Sequence, residues 1–165
     1  MSGDTHRRQE LLSGTALTAF RLNGQFLSVA ERLARPAGLT AAWWQVLGAV
    51  LDEPLPVAGI ARVMGITRQS VQRVADLLVA RGLAAYEPNP AHRRAKLVTP
   101  TAEGRAAIRR IGPGHAEFAA RLAEALGGER EFTEALDALT RLSDALDRLD
   151  GGGTVTGTAS PRSAR

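Results

Sequence analysis

Cysteine is absent from the 165 residues. That excludes disulfides, zinc–thiolate sites and sensing through thiol oxidation. Lysine is nearly absent: 20 of the 21 basic residues are arginine, and Lys96 is the exception. Histidine occurs at positions 6, 92 and 115, too scattered to form a metal cluster, so no metal or cofactor is expected. No G-x-S-x-G, Walker loop or H-E-x-x-H occurs, so no catalytic activity is expected either. No apolar run approaches the roughly 18 residues of a membrane-spanning helix. Met1 to Gln9 is too polar for the core of a signal peptide. A soluble, cytoplasmic chain without membrane contact is the expectation. Its hydrophobic content of 44% is ample for a core, and its length fits one domain or one protomer of an intertwined assembly.

What charge there is lies unevenly. Residues 54–110 carry ten basic and three acidic side chains, a net +7, against 0 for residues 1–53 and −5 for residues 111–150. A concentrated positive stretch is the footprint expected of a phosphate-binding surface.

The same stretch has the strongest local pattern. Val57, Ile60, Ala61 and Met64 fall at helical spacing, predicting a helix from Val57 to Met64. Gly65-Ile66 supplies a tight turn, and Thr67 stands where an N-cap hydroxyl is wanted. In the next helix Val71, Val74, Ala75 and Leu78 share an apolar face, and Gln69, Gln72, Arg73 and Asp76 share the opposite one. Gly82 closes it. Two helices joined by a short Gly-containing turn form a helix-turn-helix, whose second helix commonly enters the DNA major groove. Leu83 to Tyr86 and Ala95 to Thr99 read as strands flanking a basic, turn-rich loop, Glu87 to Arg94. The sum is a winged helix.

These residues resemble the MarR (multiple antibiotic resistance regulator) family of bacterial transcription factors. The likeness is carried by Gly65-Ile66-Thr67, by Leu78-Val79-Ala80-Arg81-Gly82-Leu83, and by Arg93-Arg94-Ala95-Lys96-Leu97-Val98-Thr99-Pro100-Thr101-Ala102-Glu103-Gly104. At the wing tip the family pattern Asp-x-Arg-Asp-Arg-Arg is replaced by Asn89-Pro90-Ala91-His92-Arg93-Arg94, so Ala91 stands where the first wing arginine would be.

Around this core the chain reads as helices. Arg7 to Ala34 is one amphipathic helix with a weak point at Asn23-Gly24, and Ala41 to Leu51 is a second, capped by Thr40. Pro100-Thr101-Ala102-Glu103 starts a helix to Leu126, with a kink or break expected at Gly112-Pro113-Gly114. The last helix, Glu129 to Leu149, has Leu139, Leu142, Leu146 and Leu149 alternating by three and four, a coiled-coil seam widened by Phe132 and Leu136. Residues 151–165 are Gly/Ser/Thr-rich and expected to be disordered. The expected fold is mostly α, a winged helix-turn-helix with terminal helices. The expected regions are 1–35, 36–100, 101–150 and the tail 151–165.

The terminal helices have more apolar surface than one winged helix can cover. Either a second chain covers it or the helices cap their own chain; the resemblance implies a two-fold homodimer. The polar face of the second helix of the motif is either solvated or reads DNA. If it reads DNA, Gln69, Ser70, Gln72 and Arg73 suit bases, and Thr67 and Arg68 at the helix N-terminus suit phosphates. Arg93 and Arg94 on the wing suit the minor groove or its phosphates. Asp76 is expected to pair with Arg73 or Arg62. Trp43 and Trp44 are adjacent and point about 100° apart, so one is expected in the core and the other at a contact between regions. The resemblance implies a second reading, in which both border a pocket for a small aromatic or amphipathic ligand together with Phe20, Phe26 and His115. The resemblance also implies a repressor acting on a near-palindromic duplex. A winged helix used for protein or RNA contact is the other class of function open to this fold.

Overall fold

The structure, a computed structural model, describes residues 2–151. Apart from Gly151, the tail expected to be disordered lies outside the described residues.

Helix α1 spans Ser2–Ala34 without interruption. It begins before Arg7 and passes through Asn23-Gly24. Asp4 in the first turn suits the positive helix end and pairs with Arg8 one turn on. One glycine costs a helix about 1 kcal/mol, too little to end one of this length. The stop comes at a 3₁₀ turn, Arg35–Ala37, and at Gly38, whose φ of 75° is left-handed. Thr40 caps α2 (Ala41–Ala49) by accepting from Trp43 N–H at 3.2 Å. The Glu31 carboxylate accepts from Ala41 N–H at 2.8 Å and so ties the end of α1 to the start of α2.

Helices α3 (Val57–Met64) and α4 (Arg68–Ala80) follow as the apolar spacing requires. Gly65 between them has φ 64°, and Ile66 N–H returns to Ala61 O at 3.1 Å. The sheet has three antiparallel strands in the order β1-β3-β2, with β1 Leu55–Pro56, β2 Ala84–Glu87 and β3 Leu97–Pro100. Strand β1 was not expected, because Pro54-Leu55-Pro56 reads as a breaker. An edge strand tolerates proline, which there needs no ladder N–H. Leu55 pairs with Val98, and Tyr86 sits opposite the same Val98 on the other side.

Side chains from α1, α2, α3, α4, the sheet and the first half of α5 meet in one core. Val46, Leu47, Val50, Ile60, Val71, Leu78 and Val98 are wholly buried in it. Helix α5 runs from Ala102 to Leu126 with Pro113 inside it, so of the kink or break expected there the break does not occur. Proline removes one ladder bond, and Ile111 and Gly114 hold the segment by packing: Ile111 is buried, and a Cβ at Gly114 would already touch Leu33. Gly127 and Gly128, both at positive φ, separate α5 from α6 (Glu129–Gly151). The chain forms two compact units, one ending at His115 and the other beginning at Ala116.

The start of α5 is fixed by a close approach. Thr101 N–H donates to Leu83 O at 3.1 Å, and its hydroxyl donates to Gly82 O at 2.6 Å while accepting from Gly104 N–H at 3.1 Å. A Cβ on Gly104 would lie 2.0 Å from Leu83 O. Backbone cannot yield as a flexible side chain can, so Gly104→Ala should destabilise the fold by about 3 kcal/mol. Denaturant unfolding at fixed protein concentration measures this; a loss of less than about 1 kcal/mol would show that the two segments can part without consequence.

Candidate nucleic-acid interface

Helix α4 presents its polar side because its apolar side is taken. Val71, Ala75 and Leu78 are buried, and Arg68, Gln69, Ser70, Gln72 and Arg73 are exposed. Thr67 is the N-cap: its Oγ accepts from Ser70 N–H at 3.2 Å and donates to Ser70 Oγ at 2.9 Å. The Thr67 hydroxyl is therefore engaged in starting the helix, and the Ser70 hydroxyl accepts from it.

The wing loop is built from turns. Asn89 accepts from Ala91 N–H through its side chain at 3.0 Å and from His92 N–H through its carbonyl at 3.1 Å. Ala95 N–H then bonds His92 O at 3.1 Å. Asparagine at the head of the tip thus makes the side-chain turn that an aspartate would also make. Arg93 and Arg94 are exposed on this loop.

Helix and wing enclose a cleft of about 640 Å³. From α4 come Arg68, Gln69 and Gln72; from the wing come Arg94 and Lys96; Tyr86 and residues 56–58, where β1 gives way to α3, complete the lining with Ala95. The structure thereby brings four of the expected nucleic-acid contacts onto one concavity. Ser70, Arg73 and Arg93 are exposed but do not line it. Two lining residues were missed by sequence reasoning. Lys96 lies over the Tyr86 ring at 5.9 Å. The signal for both was rarity, since they are the chain's single lysine and single tyrosine.

Asp76 does not pair with Arg73 or Arg62. Its Oδ1 accepts from Gln72 Nε2 at 2.9 Å and from the Tyr86 hydroxyl at 2.5 Å. Tyr86 comes from β2, which lies alongside α4 in the fold but not in the sequence. Burial, and then the neighbouring Asp76 carboxylate, push the Tyr86 phenol up from 10.0 to about 12.

The tryptophans diverge as their spacing requires. Trp43 stacks against the Arg81 guanidinium at 5.5 Å, and Trp44 meets the His115 ring edge-on at 5.6 Å. Both also pack on the core. Phe20 and Phe26 are 72% and 49% exposed on α1 and make no ring contact among the described residues. On α6, Leu139, Leu142, Leu146 and Leu149 are all exposed. Among the described residues no helix is long and apolar enough to cross a membrane.

A three-stranded wing packed on a helix-turn-helix, with basic side chains from both on one concavity, defines a winged-helix protein of the nucleic-acid-reading class. Comparison with known proteins makes the class specific. The MarR family model matches residues 37–95. The Mycobacterium tuberculosis protein Rv2011c, itself uncharacterized, is 41% identical over 127 residues, covering 77% of this chain and 88% of that one. The transcriptional activatory protein BadR of Rhodopseudomonas palustris is 27% identical over 152 residues, covering 88% and 85%. Among solved structures, Bordetella bronchiseptica BpsR, whose DNA binding is regulated by 6-hydroxynicotinic acid, is similar with a TM-score of 0.67 and 26% identity, covering 78% of this chain and 92% of its own. The chain belongs to the MarR family of transcription regulators.

Tyr86 can be followed directly, because no other tyrosine contributes phenolate absorbance. Its ionisation midpoint should lie near 12, and Asp76→Asn should lower it without reaching 10.0, since burial is the larger cause. Stability linked to the raised value is present below pH 10 and is lost as the pH rises toward 12. A midpoint of 10 in the folded protein would remove the bond to Asp76 from the account.

Proposed function

We propose that this protein is a homodimeric, sequence-specific, double-stranded-DNA-binding regulator of the cytoplasm, with α4 in the major groove and the wing beside it. The cleft that joins Arg68, Gln69 and Gln72 of α4 to Arg94 and Lys96 of the wing carries the reading. Residues 36–100 hold DNA; residues 1–35 and 101–150 dimerise. Gln69, Ser70, Gln72 and Arg73 face bases. Arg68, at the positive end of the α4 dipole, and Arg93 and Arg94 face phosphates, with Thr67 setting the helix start. A protein- or RNA-binding wing is the weaker reading, because the exposed face of α4 is polar and basic.

The apolar side chains left uncovered support the dimer. Leu11, Leu12, Leu17 and Phe20 on α1 and the α6 seam are exposed in a single chain. A two-fold pair of winged helices fits a near-palindromic operator with half-sites about 10 bp apart. Where such an operator overlaps a promoter the protein represses. Trp43, Trp44 and His115, with Phe20 and Phe26 of α1, form the site for a small aromatic or amphipathic ligand that releases DNA; the regulation of BpsR by an aromatic acid supports this.

Arg73→Ala should relax base preference and weaken operator binding by roughly 1–3 kcal/mol, whereas Arg94→Ala should weaken all sequences alike and flatten the salt dependence. Titration of operator and random duplexes at several salt concentrations separates the two; unchanged discrimination in Arg73→Ala would falsify its assignment to base reading.

Replacing Leu139 and Leu146 together by glutamate should give a monomer by sedimentation, with the helix content retained. A double variant that stays dimeric would take the α6 seam out of the interface.

A further inference from the structure

Lys96 is the single lysine of an arginine-rich chain, and sheet register sets it beside the single tyrosine. Tyr86 pairs with Val98, and Lys96 stands two residues before Val98, where the wing loop enters β3. Strand alternation makes Lys96 and Tyr86 diagonal neighbours on one side of the sheet, a separation that an aromatic ring and a long side chain can span. The Lys96 ammonium accordingly lies over the Tyr86 ring, 5.9 Å from its centre.

The ring is anchored at its far end. Its hydroxyl donates to Asp76 Oδ1 at 2.5 Å and lies 2.8 Å from Gln72 Nε2, so two side chains of α4 hold it. Lys96 is exposed, and among the described residues no carboxylate lies within ion-pair distance of it. Its charge is therefore uncommitted, and it lines the cleft with Arg68 and Arg94. A guanidinium commits its flat face to a ring on which it stacks. An ammonium is a compact point charge that the ring attracts from one side, which leaves N–H donors for an anion on the other.

We propose that Lys96 is a phosphate contact in the DNA cleft and that Tyr86 is its positioning residue: α4 fixes the ring, and the ring holds the ammonium over the cleft instead of letting it trail in solvent. This rests on the reading of that cleft as the DNA-binding surface. A phosphate is the partner because Lys96 comes from the wing, beside the helix that occupies the groove. The recognition helix thus sets a backbone contact made by the wing.

Titration of the full chain with a duplex selected from a random pool, and with a scrambled duplex, over a range of salt tests this. Lys96→Ala should weaken both duplexes alike, roughly fivefold to tenfold near 0.1 M salt, and lower the slope of log affinity against log salt by about 0.9. Lys96→Arg keeps the charge and should keep the slope. Tyr86→Phe and Tyr86→Leu both lack the hydroxyl and differ in the ring, so the step between them isolates the ring's hold on Lys96. Tyr86→Leu should bind about threefold more weakly than Tyr86→Phe when Lys96 is present, and equally in the Lys96→Ala background. Isotope labelling of lysine gives one ε-CH2 resonance, which should carry the ring's upfield shift and should move when DNA is added. The inference is overturned if Lys96→Ala keeps the wild-type salt slope, if its loss falls on the selected duplex alone, or if the Phe-to-Leu step costs as much without Lys96 as with it. If Tyr86→Leu does not fold, a wild-type ε-CH2 resonance at the position of a free lysine overturns the role of Tyr86 in its place. DNA binding itself survives all of these outcomes. A chain that binds no duplex at any salt overturns the DNA-binding conclusion, and this inference with it.

Discussion

The placement of α4 depends on a small backbone junction. Gly82 and Leu83, where α4 gives way to β2, offer their carbonyl groups to Thr101, where β3 gives way to α5. Four elements are joined within two residues on each side. The junction is possible only because Gly104 has no side chain to meet the Leu83 carbonyl. Hydrogen bonds of this kind each contribute about 1 kcal/mol net, which is not their main effect. They set the angle at which the β2–β3 wing leaves the helix that it flanks. Without that angle, Tyr86 would not reach Asp76, nor Arg94 and Lys96 the cleft.

Electrostatics on the exposed side of α4 follow from what the junction allows. A carboxylate on a face meant for phosphate repels its partner unless its charge is engaged. The phenol and amide around Asp76 share its charge over two hydrogen bonds, a short one of 2.5 Å from the phenol and one of ordinary length, 2.9 Å, from the amide. Lys96 over the Tyr86 ring places a cation next to the same group. The local field therefore remains positive along the cleft, with Arg68 on one wall and Arg94 on the other. Charge that is counted along the sequence as a net +7 becomes, in space, a lined concavity.

The helix-turn-helix was legible because its signals are local. Val57 to Met64 has helical spacing, Gly65 is left-handed and Thr67 caps α4, and each of these needs only its neighbours. Strand β1 was not legible, since a two-residue edge strand that itself contains a proline exists only because Leu97 and Val98 are there to pair with it. The reach of α1 to Ser2 was missed, and a break at Pro113 stood open beside a kink, for a related reason. Propensity prices one residue at a time, and long packed helices absorb single unfavourable residues. At the site, the polar face of α4 was visible in the periodicity, but the partner of Asp76 was not. Arg73 is three residues away in the sequence and Tyr86 is ten; the choice between them is made by sheet register, which the sequence does not display.

On the proposed reading, regulation follows from the division between reading and pairing. One recognition helix contacts few bases. Specificity then has to come from two helices bound to one duplex, and the spacing between them becomes a condition of binding. A ligand does not need to cover the face of α4 to release DNA. It is enough that it binds better to a dimer whose two helices are set at the wrong distance. The tryptophans are suited to transmit this, because Trp43 touches Arg81 at the end of α4 while Trp44 touches His115 of α5. A change at that pair would act on the recognition helix from its C-terminal end, away from the groove, leaving the cleft's own chemistry unaltered.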